Sequence, residues 1–211
     1  MKDKTEIIKV KGDWVEVVND ARATVGKEGL GKEPSEKFKR AILIAEHSPI
    51  RDLIVKWKWL AMPSWVSVHW VRHKWEKFVR TQRTDRTGID RTKLPQDAPV
   101  DFTGEANAQA LIDTMRKRLC YQASPETREY AEDFKATLHQ IEPELADVLV
   151  PNCIYRCGCP EMSKCPFGER SLFMTLRAYN PDVTSTSILK RYAVYNLSLI
   201  HISEPTRRSY I

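Results

Sequence analysis

Long uncharged hydrophobic runs are absent from this sequence. The first residues, MKDKTEIIKVKGDW, lack the apolar segment of a signal peptide. No uncharged stretch approaches the roughly 18 residues that a membrane-spanning helix needs. Internal repeats and low-complexity tracts are also absent, which excludes a repeat architecture. We therefore expect a soluble cytoplasmic protein without a membrane partner.

Cysteine is scarce, with five among 211 residues. In the cytoplasm, cysteines are more often thiols or metal ligands than disulfide partners. Four of them follow one another as C-x3-C-x-C-x5-C, which is not the paired C-x2-C form of many zinc sites. A structural zinc knuckle is one interpretation, because four thiolates can enclose a tetrahedral zinc ion, and an iron–sulfur centre or unliganded thiols are the alternatives. The four residues are Cys153, Cys157, Cys159 and Cys165.

The chain is long enough for one domain, or one domain with an appendage, around a full hydrophobic core. Its formal net charge is +6. A positive charge favours anionic partners such as phosphate, carboxylate or nucleic acid, but a charge of this size does not choose among them. The choice depends on where the cations lie.

Hydrophobic periodicity and capping residues predict a mixed α+β fold. Ser35 and Ser124 are suited to cap helices, and the second is followed by a proline at the first helical position. The expected architecture is an antiparallel or mixed sheet with flanking helices. Strands are predicted over residues 6–18 and 53–60, a strand or helix over 65–71, helices over 36–46, 106–119 and 125–141, and a loop over 84–104.

The cations concentrate in one stretch. From Arg72 to Arg91 there are seven Arg or Lys residues and three acids. The stretch follows an apolar, strand-like run, so in an extended backbone Arg72 and Lys74 would project on one face and His73 on the other. Arginine is enriched here over lysine, and it spans phosphate and carboxylate groups bidentately. A pocket for a small polyanion is one interpretation, and a solvated loop or a nonspecific nucleic-acid patch is the other.

A second set of polar groups lies on the helix predicted over residues 106–119. Positions 107, 111, 114 and 118 share one face of that helix, because eleven residues make nearly three turns. The face carries an amide at Asn107 and a guanidinium at Arg118, roughly 16 Å apart. Such spacing suits the two ends of a ligand, or two ligands, although surface helices often carry the same residue types.

Taken together, these residues resemble the flavin-dependent thymidylate synthases over about residues 35–140. The signature of that family is Arg-His-Arg followed several residues later by Ser-x-Arg, and Arg72-His73-Lys74 occupies the first half. His47, in a His-Ser-Pro context, stands where a flavin-contacting histidine is expected. Arg91 with Leu94-Pro95 matches a phosphate-binding arginine and its nearby Leu-Pro. A C-terminal helix motif is matched in order and spacing by Asn107-Ala108, Leu111, Arg118, Ala123 and Glu126.

The chain also departs from the signature. Lys74 keeps the charge of the third signature residue but loses the planar fork of arginine. No serine occupies the Ser-x-Arg position, for which Thr81-Gln82-Arg83 and Thr84-Asp85-Arg86 are the nearest substitutes. Asp113 stands where an asparagine that contacts the flavin is common, and the region before Arg91 is shorter than usual. These departures leave open a flavin-binding homologue that modifies another pyrimidine nucleotide.

The resemblance implies an FAD-dependent methyltransferase that converts dUMP to dTMP in the cytoplasm of a bacterial or phage-infected cell. Methylenetetrahydrofolate would donate the one-carbon unit and NADPH would reduce the flavin, in a homotetramer with shared active sites. Arg118 would act catalytically by favouring the N3 anion of the uracil. The FAD contacts implied are His47, Ser48, Arg72, His73, Lys74, Asn107, Gln109 and Asp113. The nucleotide contacts implied are His69, Arg83, Arg86, Arg91 and Arg118.

Five tryptophans lie near these motifs, and two roles are open to them. They can stack on flavin or folate, but such residues more often fill a core or a subunit interface, which we favour here. They are Trp57, Trp59, Trp65, Trp70 and Trp75.

The alternative function is a nucleic-acid-binding protein that combines the basic stretch with the zinc knuckle. That function predicts binding to long DNA or RNA with steep salt dependence and no flavin. Nucleic acid is not expected as a partner of the synthase.

The resemblance and the cysteines divide the chain into segments. The residues LSLIHISEPTR, from Leu197 to Arg207, resemble translated sequencing adapter, so we expect the biological chain to end near Asn196. The predicted segments are a catalytic domain over residues 1–150, a Cys-rich segment over 151–170, a C-terminal extension over 171–196 and an adapter artefact over 197–211.

Overall fold

The centre of the molecule is a four-stranded antiparallel sheet. The computed structural model describes residues 4–163 and 187–202. The strands are β1 (Thr5–Lys11), β2 (Ile54–Pro63), β3 (Glu76–Val79) and β4 (Pro99–Asn107). Their order across the sheet is β1-β2-β4-β3, and every neighbouring pair is antiparallel. The predicted α+β class is confirmed, with an antiparallel sheet and flanking helices.

Helices flank the sheet. Those predicted over residues 36–46, 106–119 and 125–141 are confirmed, and serine caps define two of their starts. Ser35 Oγ accepts from the Phe38 N–H at 3.3 Å, and Ser124 Oγ accepts from the Thr127 N–H at 3.4 Å. The helices are α1 (Trp14–Ala23), α2 (Glu36–Ile44), α3 (Ser64–Trp70), α4 (Thr84–Thr87), α5 (Ala108–Arg118), α6 (Pro125–His139), α7 (Pro143–Asp147), α8 (Asn152–Tyr155) and α9 (Ile188–Ile202), and short 3-10 turns cover Ser48–Asp52 and Arg91–Lys93.

The strand predicted over residues 6–18 is wrong in its second half. The strand β1 ends at Lys11, and Gly12 follows with a φ of +74°, a conformation that glycine adopts without strain. Asp13 then caps α1, because its Oδ1 accepts from the Glu16 N–H at 2.8 Å. The valines of this segment have high strand propensity, but the cap and the burial of Trp14 and Val17 select a helix.

The loop predicted over residues 84–104 is also wrong in part, because the strand β4 begins at Pro99. This strand pairs with β2 on one side and with β3 on the other. Val100 and Phe102 are buried in alternation, but Asp101, Gly104 and Glu105 belong to residue types that are depleted in strands and therefore weakened the signal. The strand β2 also extends beyond its predicted end, through a register shift around Ala61, to Pro63.

Of residues 65–71, for which a strand or a helix was open, residues 65–70 belong to the helix α3 and Val71 is its C-cap. The extended backbone assumed for the basic motif is therefore wrong. Arg72, His73 and Lys74 lie in the turn between α3 and β3. The two cations are exposed and His73 is half-buried.

Aromatic side chains dominate the core between the sheet and the helices. Trp57, Trp59 and Trp70 are fully buried and Trp75 is nearly so. The rings of Trp59 and Trp70 lie 4.4 Å apart, centroid to centroid. The predicted role of these four tryptophans as core residues is confirmed, whereas Trp65 is only half-buried.

The segments beyond residue 150 share this core where the structure describes them. Ile154 of α8 and Tyr192 and Tyr195 of α9 are buried in the same cluster. Residues 164–186 and 203–211 lie outside the described part of the chain. Within residues 4–163 and 187–202, no helix combines the length and the apolar character needed to cross a membrane.

Candidate anion-binding site

The predicted site residues form three groups in the folded chain. Among the described residues, no hydrogen bond or ion pair joins one group to another. The first group comprises His69, Arg72, His73, Lys74 and Arg118, the second His47, Ser48, Asn107, Gln109 and Asp113, and the third Arg83, Arg86 and Arg91.

Arg118, at the end of α5, is the centre of the first group. Its Nε–H donates to His73 Nε2 at 2.7 Å, and its Nη2 donates to the carbonyl oxygen of His69 at 2.6 Å. Both acceptors belong to α3 or to the turn that follows it. Two bonds from one side of the guanidinium fix its plane, because the Nε–H and Nη–H groups form a rigid fork.

The imidazole of His73 is neutral in this arrangement. Its Nε2 accepts a hydrogen bond, so the ring proton lies on Nδ1. Burial, followed by the charges of Arg118, Lys117 and Lys77, lowers the pKa of His73 to about 4. The ring lies parallel to that of Trp75, at 5° and 6.4 Å between centroids. The histidine therefore remains an uncharged acceptor at neutral pH.

His69 links α3 to the start of α6. Its Nδ1 lies 2.6 Å from Thr127 Oγ1, which also accepts from Ser124 Oγ at 2.9 Å. Burial lowers the pKa of His69, and the charges of Arg118 and Arg72 lower it further, while Glu126 acts in the opposite direction. The residues that cap α6 thus also hold α3, which supplies the carbonyl acceptor of Arg118.

The first group carries positive charge without a carboxylate partner. Burial and the neighbouring charge of Arg72 both lower the pKa of Arg118. Among the described residues, Arg72, Lys74 and Arg118 form no ion pair. Such a donor set fits an anionic ligand.

The second group is organised by Arg116, a residue that was not among the predicted site residues. The Arg116 guanidinium pairs with Glu46, lies 3.2 Å from Asp113 Oδ1 and stacks 3.6 Å from the ring centroid of Tyr155. Gln109 Nε2 donates to Glu46 Oε2 at 2.7 Å. The i, i+3 spacing of an acid and an arginine on α5 was the available signal. Gln109 and Asp113 are thus bonded within the chain.

The remaining members of the second group keep polar atoms at the surface. Asn107 caps α5, because its Oδ1 accepts from the Ala110 N–H at 2.9 Å. Its side-chain amide donors are not used by that bond. His47 and Ser48 are exposed where the 3-10 turn Ser48–Asp52 begins, directly after Glu46.

The third group lies on the exposed segment between β3 and β4. Arg83 binds Asp85 through two bonds, of 3.0 and 2.7 Å, and Arg86 Nε lies 3.8 Å from the same carboxylate. The backbone N–H of Arg91 donates to Thr84 Oγ1 at 3.3 Å. An exposed ion pair contributes little stability, so Arg83 can exchange Asp85 for a phosphate at small cost.

The cysteine cluster is only partly within the described residues. Cys153, Cys157 and Cys159 are described, and Cys165 is not. Over residues 4–163 and 187–202, no three His, Cys, Asp or Glu side chains group closely enough to hold a metal ion. The four-thiolate zinc site stays a prediction, because its fourth ligand lies outside that part of the chain.

We compared the chain with protein-family models, with curated proteins and with solved structures. No protein-family model matches the chain, and no curated protein matches it. Among solved structures, the chain is similar to the UMP/dUMP methylase PolB from Streptomyces cacaoi, crystallised with 5-Br dUMP bound. The TM-score is 0.56 and the identity 15%, over 68% of this chain and 93% of that chain. The likeness shows the fold.

Proposed function

We propose that this protein is a flavin-dependent methylase that converts dUMP to dTMP. The observation that carries the proposal is the state of Arg118. Its guanidinium is half-buried, oriented by two hydrogen bonds, adjacent to a second cation and without a carboxylate partner among the described residues. The fold shared with a UMP/dUMP methylase supports a pyrimidine nucleotide as the anion that meets it.

Arg118 would act electrostatically on the uracil ring. A positioned cation in a partly dehydrated site stabilises negative charge that develops at N3, and the two adjacent histidines are neutral, so the positive charge remains on the guanidinium. The 5′-phosphate would be bound by the third group, from Arg83 to Arg91. In the proposed homotetramer that group would come from a neighbouring subunit.

The donors of the first two groups fit the flavin dinucleotide. Arg72 and Lys74 are exposed cations suited to its phosphates, and Asn107 has unused amide donors. His47 and Ser48 would lie at its edge. When bound, the reduced flavin supplies the reducing equivalents that convert the transferred one-carbon unit to a methyl group.

The overall exchange balances without a protein nucleophile. A methyl group replaces the hydrogen at C5 of the uracil, methylenetetrahydrofolate supplies the carbon, NADPH supplies the hydride, and solvent supplies one proton. The products are dTMP, tetrahydrofolate and NADP⁺. The protein's own residues bind, orient and stabilise charge.

The absorbance spectrum of the purified protein, after incubation with FAD and removal of free FAD, tests the proposal. We expect a bound-flavin band that dUMP perturbs. A parallel titration with UMP measures the preference for the deoxynucleotide. Colourless protein after this treatment would contradict the proposal, and salt-sensitive binding to long DNA would then favour the nucleic-acid alternative.

Substitution Arg118→Ala separates binding from catalysis. We expect flavin content to be retained and dTMP formation to fall by about 10²- to 10³-fold, the usual effect of removing one positioned charge-stabilising donor. Arg22→Ala, on the surface of α1, is the matched control and should leave turnover within about twofold of the parent. Unchanged turnover in Arg118→Ala would remove this residue from the reaction.

A further inference from the structure

The contact between His73 and Arg118 indicates a role for the histidine that differs from the one implied by the family resemblance. We infer that His73 is a positioning residue, which orients Arg118 toward the nucleotide rather than binding the flavin. The inference rests on the proposed function for its catalytic consequence. The geometry itself is independent of that function, because it involves only residues of this chain.

A neutral acceptor suits this task better than a carboxylate does. Arginine has five N–H donors and no acceptor, so each partly buried donor needs a partner. A carboxylate would satisfy the Nε–H but would also offset the positive charge. The imidazole of His73 accepts the same bond, at 2.7 Å, and leaves that charge available to a ligand.

The direction of the guanidinium follows from its bonds. The Nε and Nη2 atoms of Arg118 both bond toward α3 and the following turn. Within the described residues, its Nη1 makes no hydrogen bond. Two bonds fix the plane of the group, so the Nη1 donors point in one defined direction.

The imidazole is itself held in place. The Lys77 Nζ donates to the carbonyl oxygens of His73, at 2.6 Å, and of Trp75, at 2.7 Å, which fixes the turn. The ring of Trp75 lies parallel to the imidazole. The charged groups that act on His73 are Arg118 and Lys117 of α5 and Lys77 of β3. All three are cations, so they disfavour a proton on Nε2.

A pair of substitutions distinguishes positioning from flavin binding. His73→Leu removes the acceptor while keeping an apolar side chain, and His73→Gln supplies an amide oxygen that can accept from the Arg118 Nε–H. We expect His73→Leu to retain flavin and to lower kcat by about tenfold or more, and His73→Gln to recover most of that loss. His139→Gln, on α6, is the matched control and should behave as the parent.

The opposite outcome would overturn the inference. If both His73 variants lose flavin to the same extent, and kcat per bound flavin is unchanged, the histidine is a flavin ligand. Equal kcat in the leucine variant and the parent would also exclude a positioning role.

Nitrogen-15 histidine spectra test the same contact without any turnover. We expect the neutral His73 ring to carry its proton on Nδ1, and its titration midpoint to rise in Arg118→Met, because one of the cations that depress it is removed. A proton on Nε2, or an unmoved midpoint, contradicts the inference. Absence of flavin from the parent would contradict only the proposed function, since these spectra require no cofactor.

Discussion

At the scale of single residues, the packing of Trp57 depends on the absence of a side chain at Gly104. Gly104 on β4 lies opposite Trp57 on β2 in the sheet register. A Cβ at Gly104 would lie 2.3 Å from Cζ2 of the Trp57 ring and 2.6 Å from its Cε2. Trp57 is fully buried against Trp59, Trp75 and Phe134, which restrict the movement of its ring. The glycine is therefore a requirement of the aromatic core.

Gly104→Ala should consequently destabilise the fold. We expect the free energy of unfolding to fall by about 2–3 kcal/mol, the upper part of the range for overpacking a core. Urea denaturation followed by tryptophan fluorescence measures it. Gly158→Ala is the control, because among the described residues, its chain neighbours aside, no atom lies within 4 Å of a Cβ placed at that position, and its free energy should change by less than about 0.5 kcal/mol. Equal stability of the two variants would show that the Trp57 ring can move aside.

At the scale of elements, a buried lysine connects α6 to α9. Lys135 Nζ donates to the Leu149 carbonyl oxygen at 2.6 Å and to Asn196 Oδ1 at 2.8 Å. Asn196 Nδ2 in turn donates to the Asp147 carbonyl oxygen at 3.0 Å. Burial lowers the pKa of Lys135 to about 7, although the charge of Asp147 opposes this. The docking of α9 thus includes a group that loses its proton near neutral pH.

Stability should therefore depend on pH through Lys135. Its pKa is about 7 in the folded chain and 10.5 for an ordinary exposed lysine, so between these values the unfolded chain binds more protons. The free energy of unfolding then rises with pH in this interval, by about 2 kcal/mol from pH 7 to pH 9. We expect Lys135→Met to remove this contribution in urea denaturation across that range. Lys37→Met, on the exposed face of α2, should keep the slope of the parent, and a parental slope in Lys135→Met would contradict the assignment.

At the scale of the whole molecule, the predicted site residues come from separate segments of the chain. The groups around Arg118 and around Arg91 are not joined by any bond within the described chain, yet the proposed substrate requires both a uracil contact and a phosphate contact. A homotetramer with shared active sites, as the family resemblance implies, would bring them together across subunit boundaries. Phe78 on the edge strand β3 is 61% exposed, so this edge of the sheet has apolar surface available for such a contact.

Mixed oligomers test the shared site. We expect Arg91→Ala and Arg118→Ala to be inactive separately, and co-expressed subunits of the two variants to recover about a quarter of the parental activity. If each site takes Arg91 from one chain and Arg118 from another, random association gives about a quarter of the sites both native arginines. Differently tagged subunits, purified on both tags, allow the measurement. No recovery in verified mixed oligomers would assign both arginines to one chain's site.

Local features of the chain were predictable because their causes are local. The caps at Ser35 and Ser124 act on N–H groups three residues away, and the alternation over residues 53–60 reports one buried face directly. The strand β4 was missed because its neighbours on both sides are distant in the sequence, and pairing with them outweighs weak strand propensity. A strand was predicted for the segment from Trp14 because its valines favour strands. The helix that forms there depends on the Asp13 cap and on burial.

The sequence by itself determined the α+β class, the helices that begin at capping residues, the tryptophan core and the presence of a cation-rich motif. Each of these follows from residue type and short-range spacing. Only the tertiary structure decided that Arg118 bonds to His73, 45 residues away, that Arg116 organises Glu46 and Gln109, and that the basic turn follows a helix. Those contacts depend on how the elements pack together, because side chains distant in sequence meet only after the chain folds.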